Sequence, residues 1–165
     1  MLDIEKFIQG DEYELEKVME ELTPRLMKYC SSILLNFADA EDAVQTTFIQ
    51  AYKKRHTLRE PKSFVPFLYA IAYRSSISIL RKRRLFNRDP LDPVKSGGHI
   101  SDSLMRGLEQ LTKLDRAIVY GRAVEELSYT QLARMHQKSE ASLRKRYERA
   151  KKKLCFYLRE DETHE

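Results

Sequence analysis

Glycine and proline are scarce, five of each in 165 residues. That shortage argues against a disordered, collagen-like or turn-rich all-β chain. Only two cysteines occur, Cys30 and Cys155, and they fall in separate apolar patterns. They read as small hydrophobes of a reducing compartment rather than as a disulfide or zinc framework. Apolar runs are short, so no membrane insertion is expected. Met1 to Phe7 is acidic and mixed, and lacks both parts of a secretory signal. His56, His99, His136 and His164 are scattered without metal-ligand spacing, and the neighbouring carboxylates Asp39, Glu41 and Asp42 have no histidine or cysteine beside them. Gly97-Gly98 is not a phosphate loop. The expectation is a soluble, cytoplasmic, helix-rich protein that is not an enzyme and carries neither metal nor cofactor.

What is abundant is charge, and it is segregated. The formal net charge is +5, with 33% of residues charged. Residues 53–88 hold 11 Lys/Arg and one acid, Glu60, a balance of +10. Residues 134–159 hold 10 Lys/Arg against Glu140 and Glu148, a balance of +8, which leaves −13 for the remainder. Residues 1–22 alone carry eight acids against Lys6 and Lys17. Two basic blocks point to two polyanion contacts, and the acidic remainder to a face that avoids the polyanion or meets a basic protein. A merely solvated surface would not leave one acid among twelve charges.

The apolar spacing is helical throughout. Leu15, Val18, Met19, Leu22, Leu26, Cys30, Ile33, Leu34 and Phe37 form a stripe that Pro24 interrupts. Thr23 could cap a new helix there, so two helices or one bent helix are open. Asp39 is expected to cap a second helix that buries Ala40, Ala43, Val44, Thr47, Phe48 and Ala51. Residues 53–62 read as a loop. Ser63 is expected to cap a third helix running to about Arg84, with Pro66 tolerable in its first turn. Residues 85–102 contain Asp-Pro twice, then Gly97-Gly98, and read as linker. A short helical pair follows, through Leu104, Leu108, Leu111, Leu114, Ile118 and Val119. Ser128 and Gln131 then match a capping box. Ser139 opens a last helix with the stripe Leu143, Tyr147, Ala150, Leu154 and Leu158. The fold class is all-α: two small helical domains, 1–86 and 104–165, joined by a flexible linker at 87–103.

Two capped helices eleven residues apart, about 129–135 and from Glu140, have the spacing of a helix-turn-helix. Such a unit lays the start of its second helix against base edges in the major groove. Arg144, Lys145 and Arg149 suit guanine edges or phosphates. The other basic block interleaves Tyr52, Phe64, Phe67, Tyr69 and Tyr73 with Lys53, Lys54, Arg55, Arg59, Lys62, Arg74 and Arg81 to Arg84. Cations beside ring faces suit unstacked single-stranded bases. Phe64 and Phe67 are better read as core.

DAEDAVQTTFIQAY (39–52) and SFVPFLYAIAYR (63–74), ending in RKRR (81–84), resemble region two of the extracytoplasmic-function (ECF) sigma factors of the sigma-70 family. LTKLDRAIVYGRAVEELSYTQLARMHQKSEASLRKRYERAKKKL (111–154) is similar to their region four. The order, linker and length also agree. The resemblance implies a subunit that binds bacterial core RNA polymerase and directs promoter-specific initiation. It puts Asp39, Asp42, Gln45, Thr46 and Ile49 in the polymerase interface. It places Lys54, Arg55, Arg59, Lys62, Tyr73, Arg74, Arg81 and Arg84 at the melted minus-ten element. Lys138, Ser142, Arg144, Lys145 and Arg149 would meet the minus-thirty-five duplex. The family leaves room for an anti-sigma factor as a further partner.

Departures mark a divergent member. Ser75 and Ser78 stand where relatives often have Asn and Asp, and Phe67 replaces a tryptophan. The usual Leu-Gly-Ile turn is His136-Gln137-Lys138, so either Gln137 holds a backbone angle suited to glycine or the turn differs. The alternative function, a stand-alone helix-turn-helix regulator, would leave the DAED helix and the aromatic-basic block without a task.

Overall fold

A computed structural model describes residues 1–86 and 101–163, and among them every regular element is helical. The expected linker lies almost wholly outside the described residues. The elements are α1 (Ile4–Ile8), α2 (Glu12–Leu34), α3 (Phe37–Lys53), two short 3-10 turns at Arg55–Thr57 and Pro61–Ser63, α4 (Phe64–Leu85), α5 (Asp102–Glu109), α6 (Lys113–Ala123), α7 (Tyr129–His136) and α8 (Glu140–Glu162).

Polar side chains set the helix starts. Asp3, Asp11, Asn36, Ser101, Thr112 and Ser128 each accept a hydrogen bond from the backbone N–H three residues on, which satisfies a donor the helix leaves open. The Ser128/Gln131 capping box forms in both directions. Ser139 Oγ accepts from the Ser142 N–H at 3.2 Å, as expected at the start of α8.

Two expectations need correction, the caps of the second and third predicted helices, and the alternative left open at Thr23 is settled. Thr23 does not start a new helix: its hydroxyl donates back to the Met19 carbonyl at 2.5 Å, and α2 runs through Pro24 unbroken. Pro24 is on the exposed side of the helix, where the lost backbone bond costs least. The cap of α3 is Asn36 rather than Asp39, because the helix begins three residues earlier. Ser63 makes no capping bond; the 3-10 turn before it leads the chain into α4. By length and mean hydropathy (1.3), Pro61–Leu85 would suffice to cross a bilayer, although no such segment was expected. Here it is a core helix, with Phe64, Leu68, Tyr69, Ile71 and Ala72 buried among α2 and α3.

The N-terminal unit is the bundle α1–α4. Val18, Leu22, Leu26 and Ile33 of α2 meet Ala40, Val44 and Phe48 of α3 and Leu68 and Ile71 of α4. Phe7 clips the unpredicted α1 onto this core, its ring 5.2 Å from Phe64 in an edge-on contact. The C-terminal unit has two smaller clusters. Leu108 and Leu111 pack on Ala150 and Leu154, and Ile118, Leu127 and Leu132 pack on Leu143. At Gly107 an added Cβ would lie 2.8 Å from a Leu154 methyl, so a side chain there would have to push that methyl aside where α5 meets α8.

The two units pack on one another. Arg25 of α2 and the Tyr69 hydroxyl of α4 both donate to the carboxylate of Glu125, whose side chain is 4% exposed. Burial first, and the bond to Glu125 second, raise the Tyr69 hydroxyl far above the usual tyrosine range. Arg116 of α6 donates to the Ile33 carbonyl at 2.9 Å and the Leu108 carbonyl at 2.7 Å. Tyr29 stands edge-on to both Tyr69 (4.7 Å) and Tyr120 (5.6 Å). His136, at the end of α7, is edge-on to Tyr73 of α4 at 4.6 Å.

Gln137 adopts φ 54°, ψ 46°, so the first of the two alternatives for the turn is realised. A left-handed angle costs a residue with a Cβ roughly 1–2 kcal/mol. Gln137→Gly is therefore expected to raise stability by about 1 kcal/mol, once glycine's greater unfolded-state freedom is offset; an unchanged denaturant midpoint would contradict this. Burial, with Lys138 adding repulsion, pushes His136 down to about 4 from 6.5. The ring stays neutral in the fold while the unfolded chain takes up a proton near pH 6.5. Its contribution is thus complete above pH 6.5 and lost as pH falls towards 4, by up to about 3 kcal/mol. Between about pH 7 and pH 4.5, the wild type should lose more stability than His136→Leu in thermal melts; parallel losses would refute the assignment.

Candidate nucleic-acid and polymerase interfaces

The start of α8 faces solvent while its stripe faces the core. Leu143 and Ala150 are buried; Lys138, Arg144, Lys145 and Arg149 are exposed, and Ser142 is half-exposed. The five expected duplex-facing residues therefore lie at the turn and along the first turns of one helix. Arg146 is different. It points to α6 and pairs with Asp115 at 3.0 Å, bolting α8 down. The Thr130 hydroxyl donates to Glu140 at 2.5 Å and ties the start of α7 to that of α8. The Arg144 guanidinium carbon lies 4.8 Å from the centre of the Tyr129 ring.

The second basic surface splits into free and occupied cations. Lys54, Arg59, Arg74, Arg81 and Arg84 are exposed, and Lys62 makes only an exposed 3.5 Å pair with Glu60. Arg55 was expected among them, but it is spoken for. Its guanidinium carbon sits 4.3 Å from the centre of the Tyr52 ring, and Nη1 donates to the Tyr52 carbonyl at 2.8 Å. It also fills the space over Gly10, where an added Cβ would lie 2.9 Å from Nη2. The Tyr52 hydroxyl donates to the Gly10 carbonyl at 3.1 Å, so this group anchors the α1–α2 turn. Phe64 is buried and Phe67 packs against the core, as read; Tyr69 is fully buried beside Glu125. Tyr73 remains on this surface but is half-buried against His136.

On α3 the outer face carries Glu41, Asp42, Gln45, Thr46 and Ile49, all exposed, with Ile49 at 55%. Asp39 leaves this set: it is buried, and its carboxylate pairs with Arg83 at 2.5 Å, holding the end of α4 to the start of α3. Between this helix and the C-terminal unit runs an apolar groove of about 720 Å³, lined by Met27, Val44, Phe48, Leu104, Leu108 and Val124 among others. Sequence reasoning missed the groove because its walls come from opposite ends of the chain. Among the described residues no three His, Cys, Asp or Glu side chains converge on a metal position. Burial pushes the Cys30 thiol up to about 12, so it is an inert core group.

Residues 18–86 match the family model of sigma-70 region 2, and residues 101–154 that of sigma-70 region 4. The chain is 27% identical over 167 residues to the RNA polymerase sigma factor CarQ of Myxococcus xanthus, covering 95% of this chain and 96% of CarQ. It is 26% identical over 137 residues to the RNA polymerase sigma factor SigV of Bacillus subtilis (strain 168), covering 79% and 82%. Its fold is similar to that of the sigma factor RpoE from Bartonella quintana, solved in complex with the anti-sigma factor NepR. That match has a TM-score of 0.74, 20% identity, and covers 87% of this chain and 96% of the other. It is also similar to CnrH in complex with the cytosolic domain of CnrY, with a TM-score of 0.72, 19% identity and 96% of both chains covered. Two sigma-70 regions in succession, and a relative that shares nearly the whole length, show that the chain belongs to the sigma-70 family as an ECF-type RNA polymerase sigma factor, a protein that directs transcription.

Proposed function

We propose that the two helical units divide promoter recognition between them: 1–86 serves as region two, 87–103 as the connection, and 104–165 as region four. What carries this reading is the separation of exposed charge. The exposed cations of α8 and its turn (Lys138, Arg144, Lys145 and Arg149, with Ser142) bind the minus-thirty-five duplex at its major groove, through base edges and phosphates. Lys54, Arg59, Lys62, Arg74, Arg81 and Arg84, with Tyr73, hold the melted minus-ten strand. Asp42, Gln45, Thr46 and Ile49 form a mixed acidic and apolar patch of α3 that docks on core polymerase. Melting is favoured because the open strand is bound selectively; the chemistry of RNA synthesis stays with the polymerase, in the cytoplasm.

Asp39 and Arg55 drop out of the contact set because their charges are neutralised or packed within the fold. Tyr73 presents its whole ring to DNA only after the helix-turn-helix has moved off it, since His136 packs edge-on against that ring and half-buries it. Strand capture therefore follows separation of the two units. An anti-sigma partner belongs to the same reading. RpoE and its anti-sigma factor NepR supply the precedent, and the apolar groove between the units is the surface available to such a partner. A stand-alone regulator would give neither α3 nor the aromatic-basic surface a role.

Replacing both Asp42 and Gln45 with Lys should weaken association with core polymerase by more than about a hundredfold, roughly 3 kcal/mol, since like charge across an interface costs several kcal/mol. A pull-down retaining normal polymerase from a variant with unchanged circular dichroism would count against the α3 interface. Run-off transcription with core polymerase and a genomic promoter library should yield start sites seen only when this protein is added. Tight duplex binding by the protein alone, with no new start sites, would point instead to the stand-alone regulator.

A further inference from the structure

Arg144 and its exposed neighbours on α8 are not equivalent. Lys145 and Arg149 extend into solvent with no ring or ion-pair partner among the described residues. Arg144 has one: its guanidinium rests on Tyr129, 4.8 Å from the ring centre. Tyr129 is itself held from several sides. Its backbone is set by the Ser128/Gln131 capping box at the first position of α7. Its ring is edge-on to Tyr147 of α8 at 6.4 Å. A second guanidinium, that of Arg122 on α6, also lies 4.8 Å from the same ring centre, and its Nη1 is tethered to the Leu127 carbonyl at 3.2 Å. The ring is thus a fixed platform where α6, α7 and α8 meet, and Arg144 is the exposed cation laid on it.

We infer that Tyr129 is a positioning residue for promoter specificity: it holds the Arg144 guanidinium in the orientation that reads one base pair of the upstream duplex, without itself contacting that base pair. The inference rests on the reading of α8 as the duplex-facing helix. The ring attracts the cation through its face and leaves the N–H edge of the guanidinium open. Those donors form a rigid fork that matches the two acceptors of a guanine edge, and such a bidentate contact discriminates between bases. A free arginine would have to give up rotamer freedom at the moment of binding, and would meet phosphate as readily as base. Lys145 and Arg149, without a platform, serve as phosphate contacts that add affinity uniformly across sequences. Tyr129 therefore determines specificity although the helix it belongs to is not the reading helix.

The test uses holoenzyme assembled from core polymerase and the full-length protein. A duplex library is randomised across the upstream element of a promoter obtained in the run-off assay. Arg144→Ala should flatten the base preference at one position, reducing discrimination there by roughly five- to a hundredfold. Tyr129→Leu keeps the bulk but removes the ring face. It should flatten the same position by about two- to fivefold, with preferences elsewhere intact, and should add nothing in the Arg144→Ala background. Tyr129→Phe keeps the ring and should retain the wild-type profile. Lys145→Ala should weaken binding to all sequences alike. If Tyr129→Leu leaves the Arg144-dependent position sharp, or weakens every sequence equally, the positioning role is overturned. Loss of preference in Tyr129→Phe overturns it too, because the hydroxyl would then be the contact. If Arg144→Ala flattens no position, the reading of Arg144 as a base contact fails first, and the inference falls with it.

Discussion

A single buried carboxylate joins the two halves of this protein. Glu125 lies just beyond α6, and its oxygens take Arg25 from α2 and the Tyr69 hydroxyl from α4. A carboxylate stripped of water is tolerable only when such partners replace its hydration. The cluster therefore specifies how the units meet as well as holding them. The rest of the interface follows from that placement. Arg116 reaches the open carbonyl of Ile33 near the end of α2, Tyr120 closes on Tyr29, and α7 is set down on α4 so that His136 covers Tyr73. The apolar groove is the space left between α2, α3 and the C-terminal unit once these contacts are made.

The same logic sorts the cations. Arg25, Arg55, Arg83, Arg116 and Arg146 each have an internal acceptor or ring, and all but Arg55, which is held by Tyr52 three residues before it, join elements that are apart in sequence. All are arginines, whose planar fork can satisfy several acceptors at once. The exposed positions are shared by lysines and arginines, free to meet an external polyanion. Net charge hides this division. A block that looks uniformly basic contains structural bolts, such as Arg55 and Arg83, among the residues open to DNA.

Local signals were the most legible part of the fold. Ser128, Gln131 and Ser139 cap as read, since a cap involves residues three apart and needs no tertiary partner. The buried face of α3, from Ala40 to Ala51, follows directly from helical spacing. Errors and undecided choices came where two local options compete. Asn36 and Asp39 are both good caps, and burial of Asp39 against Arg83, 44 residues on, decides between them. Thr23 with Pro24 resembles a helix start, yet packing of the α2 stripe on both sides carries the helix through. The short α1 had no periodic signature of its own; it depends on Phe7 finding Phe64 and Tyr52.

By itself, the sequence determined the helical class, the two charged blocks, the helix-turn-helix and the membership of the sigma-70 family. Each depends on composition, spacing or short strings that survive without knowledge of distant contacts. Tertiary structure alone decided which charges are free, that Tyr73 is covered, that Gln137 holds a left-handed turn in place of glycine, and that Arg144 rests on Tyr129. The reason is physical. A side chain's availability depends on what the fold brings within a few ångströms of it, and those neighbours lie 15 residues away for Arg144, 63 for Tyr73 and 100 for Arg25.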